Sequence, residues 1–91
     1  MNIKVRVPLS LHKFTGNKTD FECQGETVEK ILIDLNNQYP GIKEILFDEE
    51  GRITHSFSLF VNGRLVRFSK NEKILLKDGD EIFIMQLVAG G

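Results

Sequence analysis

Residues 81–88 read Glu-Ile-Phe-Ile-Met-Gln-Leu-Val, and both alternating faces of this run are apolar. Ile82 and Ile84 fall on one face, and Phe83, Met85 and Leu87 on the other. Successive residues of a strand point to opposite sides of a sheet. A strand apolar on both sides is therefore central or is covered by a partner. In a chain of 91 residues this constrains the fold strongly. A domain so short buries only about 60–65% of its unfolded surface, which allows one core and no deep internal cleft. One helix covers one face of a sheet, so the second apolar face needs its own explanation. The same size weighs against a self-contained enzyme.

The other segments supply that sheet and helix. Ile3, Val5 and Val7 alternate with Asn2, Lys4 and Arg6, a half-buried strand that Pro8 ends. Residues 12–18 contain Gly16-Asn17 and read as a turn. Thr19, Phe21 and Cys23 alternate with Asp20, Glu22 and Gln24, a second strand antiparallel to the first because the connection is short. Thr27 is a helix N-cap, and Val28, Ile31, Leu32 and Leu35 follow at i, i+3, i+4 and i+7, one apolar stripe. Pro40-Gly41 closes this helix near Tyr39. Residues 42–46 form a short second helix or turn, and Asp48-Glu49-Glu50-Gly51 a solvated loop. Phe57, Leu59 and Val61 alternate with Ser56, Ser58 and Phe60; Asn62-Gly63 then gives the strongest two-residue hairpin signal in the chain, with a return strand over 64–68. Residues 69–76 cross over irregularly, and Lys77-Asp78-Gly79-Asp80 is a tight turn into the final strand. The order is ββα, ββ, then a last strand. One helix on one mixed sheet is an α+β architecture, with the last strand beside the first, in parallel, at the centre. This is the β-grasp, or ubiquitin-like, roll of about five strands.

Composition excludes several functions. Net charge is −1, and basic residues are interleaved with acidic ones, as at Lys70, Glu72, Lys73, Lys77 and Asp78, so no nucleic-acid stripe exists. No apolar run reaches the ~20 residues of a membrane span, and the N-terminus alternates where a signal peptide would be continuously apolar. A cytoplasmic location is the expectation. Cys23 is the single cysteine, which rules out an internal disulfide, and its position beside Phe21 on the apolar side of a strand reads as a small buried hydrophobe. Asp78 and Asp80 fall short of a calcium loop. His12 and His55 lack ligand-spaced companions. No phosphate-binding glycine loop is present.

Ala89, Gly90 and Gly91 follow the final strand. Three small residues cannot anchor a core, order is weakest at termini, and a tail without Cβ atoms threads a narrow slot. The plainer alternative is a frayed glycine end. The pattern favours a tail that delivers its own carboxylate into another protein's active site. The expected division is a folded domain over 1–88 and a flexible tail over 89–91.

Asp78-Gly79-Asp80-Glu81, an apolar strand, then Val88-Ala89-Gly90-Gly91 resembles the C-terminus of the ThiS/MoaD sulfur-carrier family, and the likeness extends over essentially the whole chain. The stretch from Phe47-Asp48-Glu49-Glu50-Gly51-Arg52 through Phe60-Val61-Asn62-Gly63 to Val66-Arg67-Phe68 is similar to the longer members, MoaD-like proteins and the carrier of a cysteine-biosynthesis route. The resemblance implies a protein co-substrate without catalytic residues. A ubiquitin-activating-type enzyme, supplying ATP and Mg²⁺, would adenylate the Gly91 carboxylate, and a sulfur donor would convert it to a thiocarboxylate. The sulfur would pass to an acceptor enzyme such as a molybdopterin-synthase large subunit or a cysteine synthase; the chain itself could be the small subunit of such a synthase. Val88, Ala89 and Gly90 would be the threading tail. Leu65 and Met85 match partner-facing positions, Phe83 and Leu87 extend that patch, and His12 stands where many relatives carry an arginine near the interface. A carrier of this kind is expected to be monomeric when free. The alternatives are a ubiquitin-like modifier joined to target lysines through Gly91, and a passive interaction domain whose end is incidental.

Overall fold

The computed structural model describes residues 2–67 and 73–86. Among them, five strands form one mixed sheet: β1 (Asn2–Arg6), β2 (Asp20–Gln24), β3 (Phe57–Val61), β4 (Arg64–Val66) and β5 (Glu81–Gln86), in the order β2-β1-β5-β3-β4. β5 is central, as its two apolar faces require. It runs parallel to β1, with Val5 opposite Ile82, and antiparallel to β3, with Leu59 opposite Ile84. β1 and β2 pair antiparallel with Val5 opposite Phe21, so their inward residues share one face. Helix α2 (Val28–Gln38) covers that face with Val28, Ile31, Leu32 and Leu35, all buried. Ile3, Val5, Phe21, Cys23, Leu59, Ile82 and Ile84 meet it from the sheet.

Local chemistry sets the boundaries. Thr27 caps α2, its hydroxyl accepting from the Lys30 N–H at 3.2 Å. The Val28 N–H, another donor that a helix start leaves open, donates to the Ile74 carbonyl at 3.0 Å, while Leu76 N–H donates to Glu26 at 2.8 Å. The crossover before β5 is thereby tied to the start of the helix. Asn36 Oδ1 accepts from the Gly41 and Lys43 N–H groups and fixes the turn into the short helix α3 (Ile42–Leu46). Asn62 and Gly63 both have positive φ, 51° and 82°, the mirror-image turn that suits the twist of a hairpin.

The sequence reading needs correction at three points. Residues 12–18 are not a simple turn: a 3-10 turn over Leu9–Leu11 leads into a one-turn helix, α1 (His12–Thr15), before the glycine turn. Leu11 and Thr15 are buried beneath it, and the Thr15 hydroxyl donates to the Lys18 carbonyl at 2.8 Å. β2 begins at Asp20, and Thr19 is exposed. The described part of β4 ends at Val66 and that of β5 at Gln86, so Phe68, Leu87 and Val88 lie outside the described residues. As read, residues 42–46 form a short helix, α3, which buries Ile42 and Leu46 in the core, and the outward β5 residues Phe83 and Met85 are exposed. No described helix is long and apolar enough to cross a membrane.

Candidate interaction face and C-terminal tail

The side of the sheet away from α2 divides into two halves. β5 presents Phe83 and Met85 there, 37% and 41% exposed. The ladder sets Phe60 opposite both Phe83 and Leu65, and Ser58 opposite Met85. Directly opposed residues share a face, so Phe60, Leu65, Phe83 and Met85 make one apolar surface across β4, β3 and β5, with Leu65 58% exposed. Contiguous exposed apolar surface on a small soluble domain marks an interaction site.

The other half is charged. Arg6, opposite Phe83 on β1, carries its guanidinium 5.9 Å from the Phe83 ring centre. Its Nε donates to Asp20 at 2.9 Å. That hydrogen bond holds the Asp20 carboxyl below the usual carboxylate range, helped by the Thr19 hydroxyl. Lys4 lies 3.9 Å from Glu81. Arg6 is thus fixed at the border of the apolar half, a cation over an aromatic face.

Of the residues named from sequence, Leu65, Phe83 and Met85 come together on this face. His12 does not join them; it starts α1 in the β1–β2 connection, half-buried. Leu87, Val88, Ala89, Gly90 and Gly91 lie outside the described residues, directly after Gln86 at the end of β5. Phe60 and Arg6 were missed. Phe60 did carry a signal, since an aromatic alternating with Ser56 and Ser58 is out of place on a solvated face. Arg6 carried none, because its meeting with Phe83 depends on the parallel register.

Cys23 is buried, and its thiol is pushed up to about 12 by burial first, with Asp34 adding to the effect. A neutral buried thiol is no nucleophile. Among the described residues, no three His, Cys, Asp or Glu side chains gather as a metal site.

The ThiS family model matches residues 5–91. The chain belongs to the ThiS family. It is 34% identical to the sulfur carrier protein CysO of Mycobacterium tuberculosis, over 100% of both chains. Among solved structures, a chain of the Amycolatopsis orientalis BexX/CysO complex superposes with a TM-score of 0.86 at 36% identity, covering 98% of this chain and 99% of that one. The small archaeal modifier protein SAMP1 of Methanosarcina acetivorans superposes at 0.79 with 29% identity, covering 99% and 96%. The β-grasp architecture is common to these proteins.

Proposed function

We propose that this protein is a sulfur carrier whose Gly91 carboxylate is the reacting group. It is a protein substrate rather than a catalyst, and it works by binding partner enzymes. The single observation that carries the reading is the full-length likeness to CysO, which runs through the terminal glycines. The geometry supports it: the described part of the central strand reaches Gln86 beside the exposed apolar face, so an enzyme that grips Phe60, Leu65, Phe83 and Met85 is within reach of residues 87–91. Five extended residues span at most about 18 Å.

The chemistry follows from the weakness of a carboxylate as an electrophile. In the proposed sequence, a Gly91 carboxylate oxygen attacks the α-phosphorus of ATP and pyrophosphate departs. The acyl-adenylate so formed has AMP as a good leaving group. Attack by a sulfur nucleophile at the carbonyl carbon expels AMP and leaves the thiocarboxylate. Mg²⁺ and the phosphate-binding groups belong to the adenylating partner. The charged sulfur stays covalently held until an acceptor enzyme takes it, in cysteine or molybdenum-cofactor biosynthesis; the CysO likeness favours cysteine, and a cysteine synthase as acceptor. Incubation with the organism's adenylating enzyme, ATP, Mg²⁺ and sulfide should raise the intact mass by the difference between sulfur and oxygen. An unchanged mass, with that enzyme shown to be active, would overturn the reading.

The SAMP1 likeness favours a second reading, conjugation of Gly91 to lysines of target proteins. Immunoblots of native extract separate the two. A ladder of high-mass conjugates supports the modifier, and a single free band supports the carrier.

A further inference from the structure

On the α2 side of the sheet, at the Gln86 end of β5, lies an open groove of about 490 Å³. It is not part of the apolar face: strand alternation sends Gln86 to the side of Ile82 and Ile84, opposite Met85. Phe14 of α1 and Ile45 of α3, both half-buried, give it apolar walls, and Thr54 and Ser56 add hydroxyls. Among the described residues, Lys13 is the one charged residue that lines it. Its ammonium lies 5.4 Å from the Phe14 ring centre, and among the described residues no carboxylate pairs with it.

The two segments that carry most of the lining residues, 10–14 and 54–57, contain no Asp or Glu, while in the α3 wall Glu44 and Lys43 precede Ile45. At the opposite end of β5, Asp78, Glu81 and Glu22 line one recess together with Lys4. That recess thus carries more carboxylates than cations, the groove carries Lys13, and residues 87–91 follow Gln86 in the chain.

We propose that this groove is a second docking surface, for an acidic segment with an apolar tip on the enzyme that adenylates the tail. The inference rests on the sulfur-carrier reading. Its argument is position and charge. An enzyme that encloses residues 87–91 must pass the rim formed by Gln86. An apolar side chain enters between Phe14 and Ile45, and its neighbouring carboxylate meets Lys13. Complementary charge at such a rim governs encounter and orientation more than the catalytic step.

The test is carrier-dependent pyrophosphate release by the organism's adenylating enzyme, with KM and kcat for wild type, Lys13→Glu, Lys13→Arg and Ser56→Trp. Each variant is first checked for an unchanged thermal transition. Charge reversal should raise KM about tenfold at low salt with kcat unchanged, and should flatten the salt dependence of KM. Ser56→Trp, which fills the groove, should raise KM without altering that salt dependence, and Lys13→Arg should stay near wild type. Turnover of wild type with both Lys13→Glu and Ser56→Trp within about twofold of its KM overturns the groove and leaves the carrier reading intact. If wild type itself is not adenylated, both fall.

Discussion

At the residue scale, Asn62 and Asp80 show how a turn can also be a clamp. Asn62 takes the positive φ of the hairpin and reaches across to the start of β5. Its Nδ2 donates to Asp80 Oδ1 at 2.9 Å, and its Oδ1 accepts from the Glu81 N–H at 3.0 Å. Asp80 Oδ2 accepts from the Lys77 N–H at 2.7 Å. That backbone bond first, and Asn62 second, hold the Asp80 carboxyl below the usual carboxylate range. A carboxyl lowered by folding contributes stability above its unfolded pKa of about 3.9, and loses it as pH falls through the folded value. Asp80→Asn should therefore melt lower than wild type at neutral pH, with the gap narrowing as the solution is acidified below about pH 4. Circular-dichroism melts across that range measure it, and a constant gap refutes the clamp. Asp20 and Asp48 are lowered in the same direction, so acid sensitivity is reduced by the substitution rather than abolished. Cys23 gives a second prediction. With its thiol pushed up to about 12, it should resist iodoacetamide at about pH 8 and react once denaturant opens the core. Intact mass against time reads this out, and rapid alkylation of the native protein would contradict the burial.

At the scale of elements, β5 joins the core to the exposed apolar face. Its inward Ile82 and Ile84 belong to the packing under α2, while Phe83 and Met85 face solvent. Substitutions on the two sides should behave differently. Leu35→Ala, a truncation in the fully buried stripe of α2, should cost about 2–5 kcal/mol in urea unfolding. Met85→Lys should shift stability by no more than about 0.5 kcal/mol, as exposed positions generally do, and weaken binding to a partner enzyme in calorimetric titration. If Met85→Lys unfolds the domain, the face is core and the interaction surface is elsewhere. The contrast also explains what was legible in the sequence. Period-two alternation in β1, β2, β3 and β5, the Thr27 cap with its apolar stripe, and Asn62-Gly63 are local signals, and each gave its element, with β1 and β2 one residue shorter than read and β5 described to Gln86. The segment around α1 was misread because one helical turn is too short to show a period, and its buried Thr15 is polar. Phe60 and Arg6 joined the face through register, and the groove is walled by residues of four separate segments, from Ser10 to Gln86. Those juxtapositions exist only once the sheet is assembled.

At the scale of the whole molecule, the proposed reacting group should be separable from the folded domain by experiment. The described core closes on itself by Gln86: β5 is paired on both sides, and α2, α3 and the crossover seal the inner face. The proposed chemistry needs a free carboxylate on Gly91 and no side chain before it that would block a narrow slot. Deleting Gly91, or appending one alanine after it, should thus leave the thermal transition where it is in wild type. Either change should abolish thiocarboxylate formation, while binding to the adenylating enzyme through the apolar face persists. Mass spectrometry after incubation with enzyme, ATP and sulfide, run beside a melting curve and a titration, reads the three quantities separately. Sulfur incorporated into the extended chain would show that a carboxylate at the Gly91 position is not required, even in a protein that folds and docks as a carrier. Loss of all three together would mean instead that the tail is part of the fold, and the division between scaffold and reacting group would be wrong.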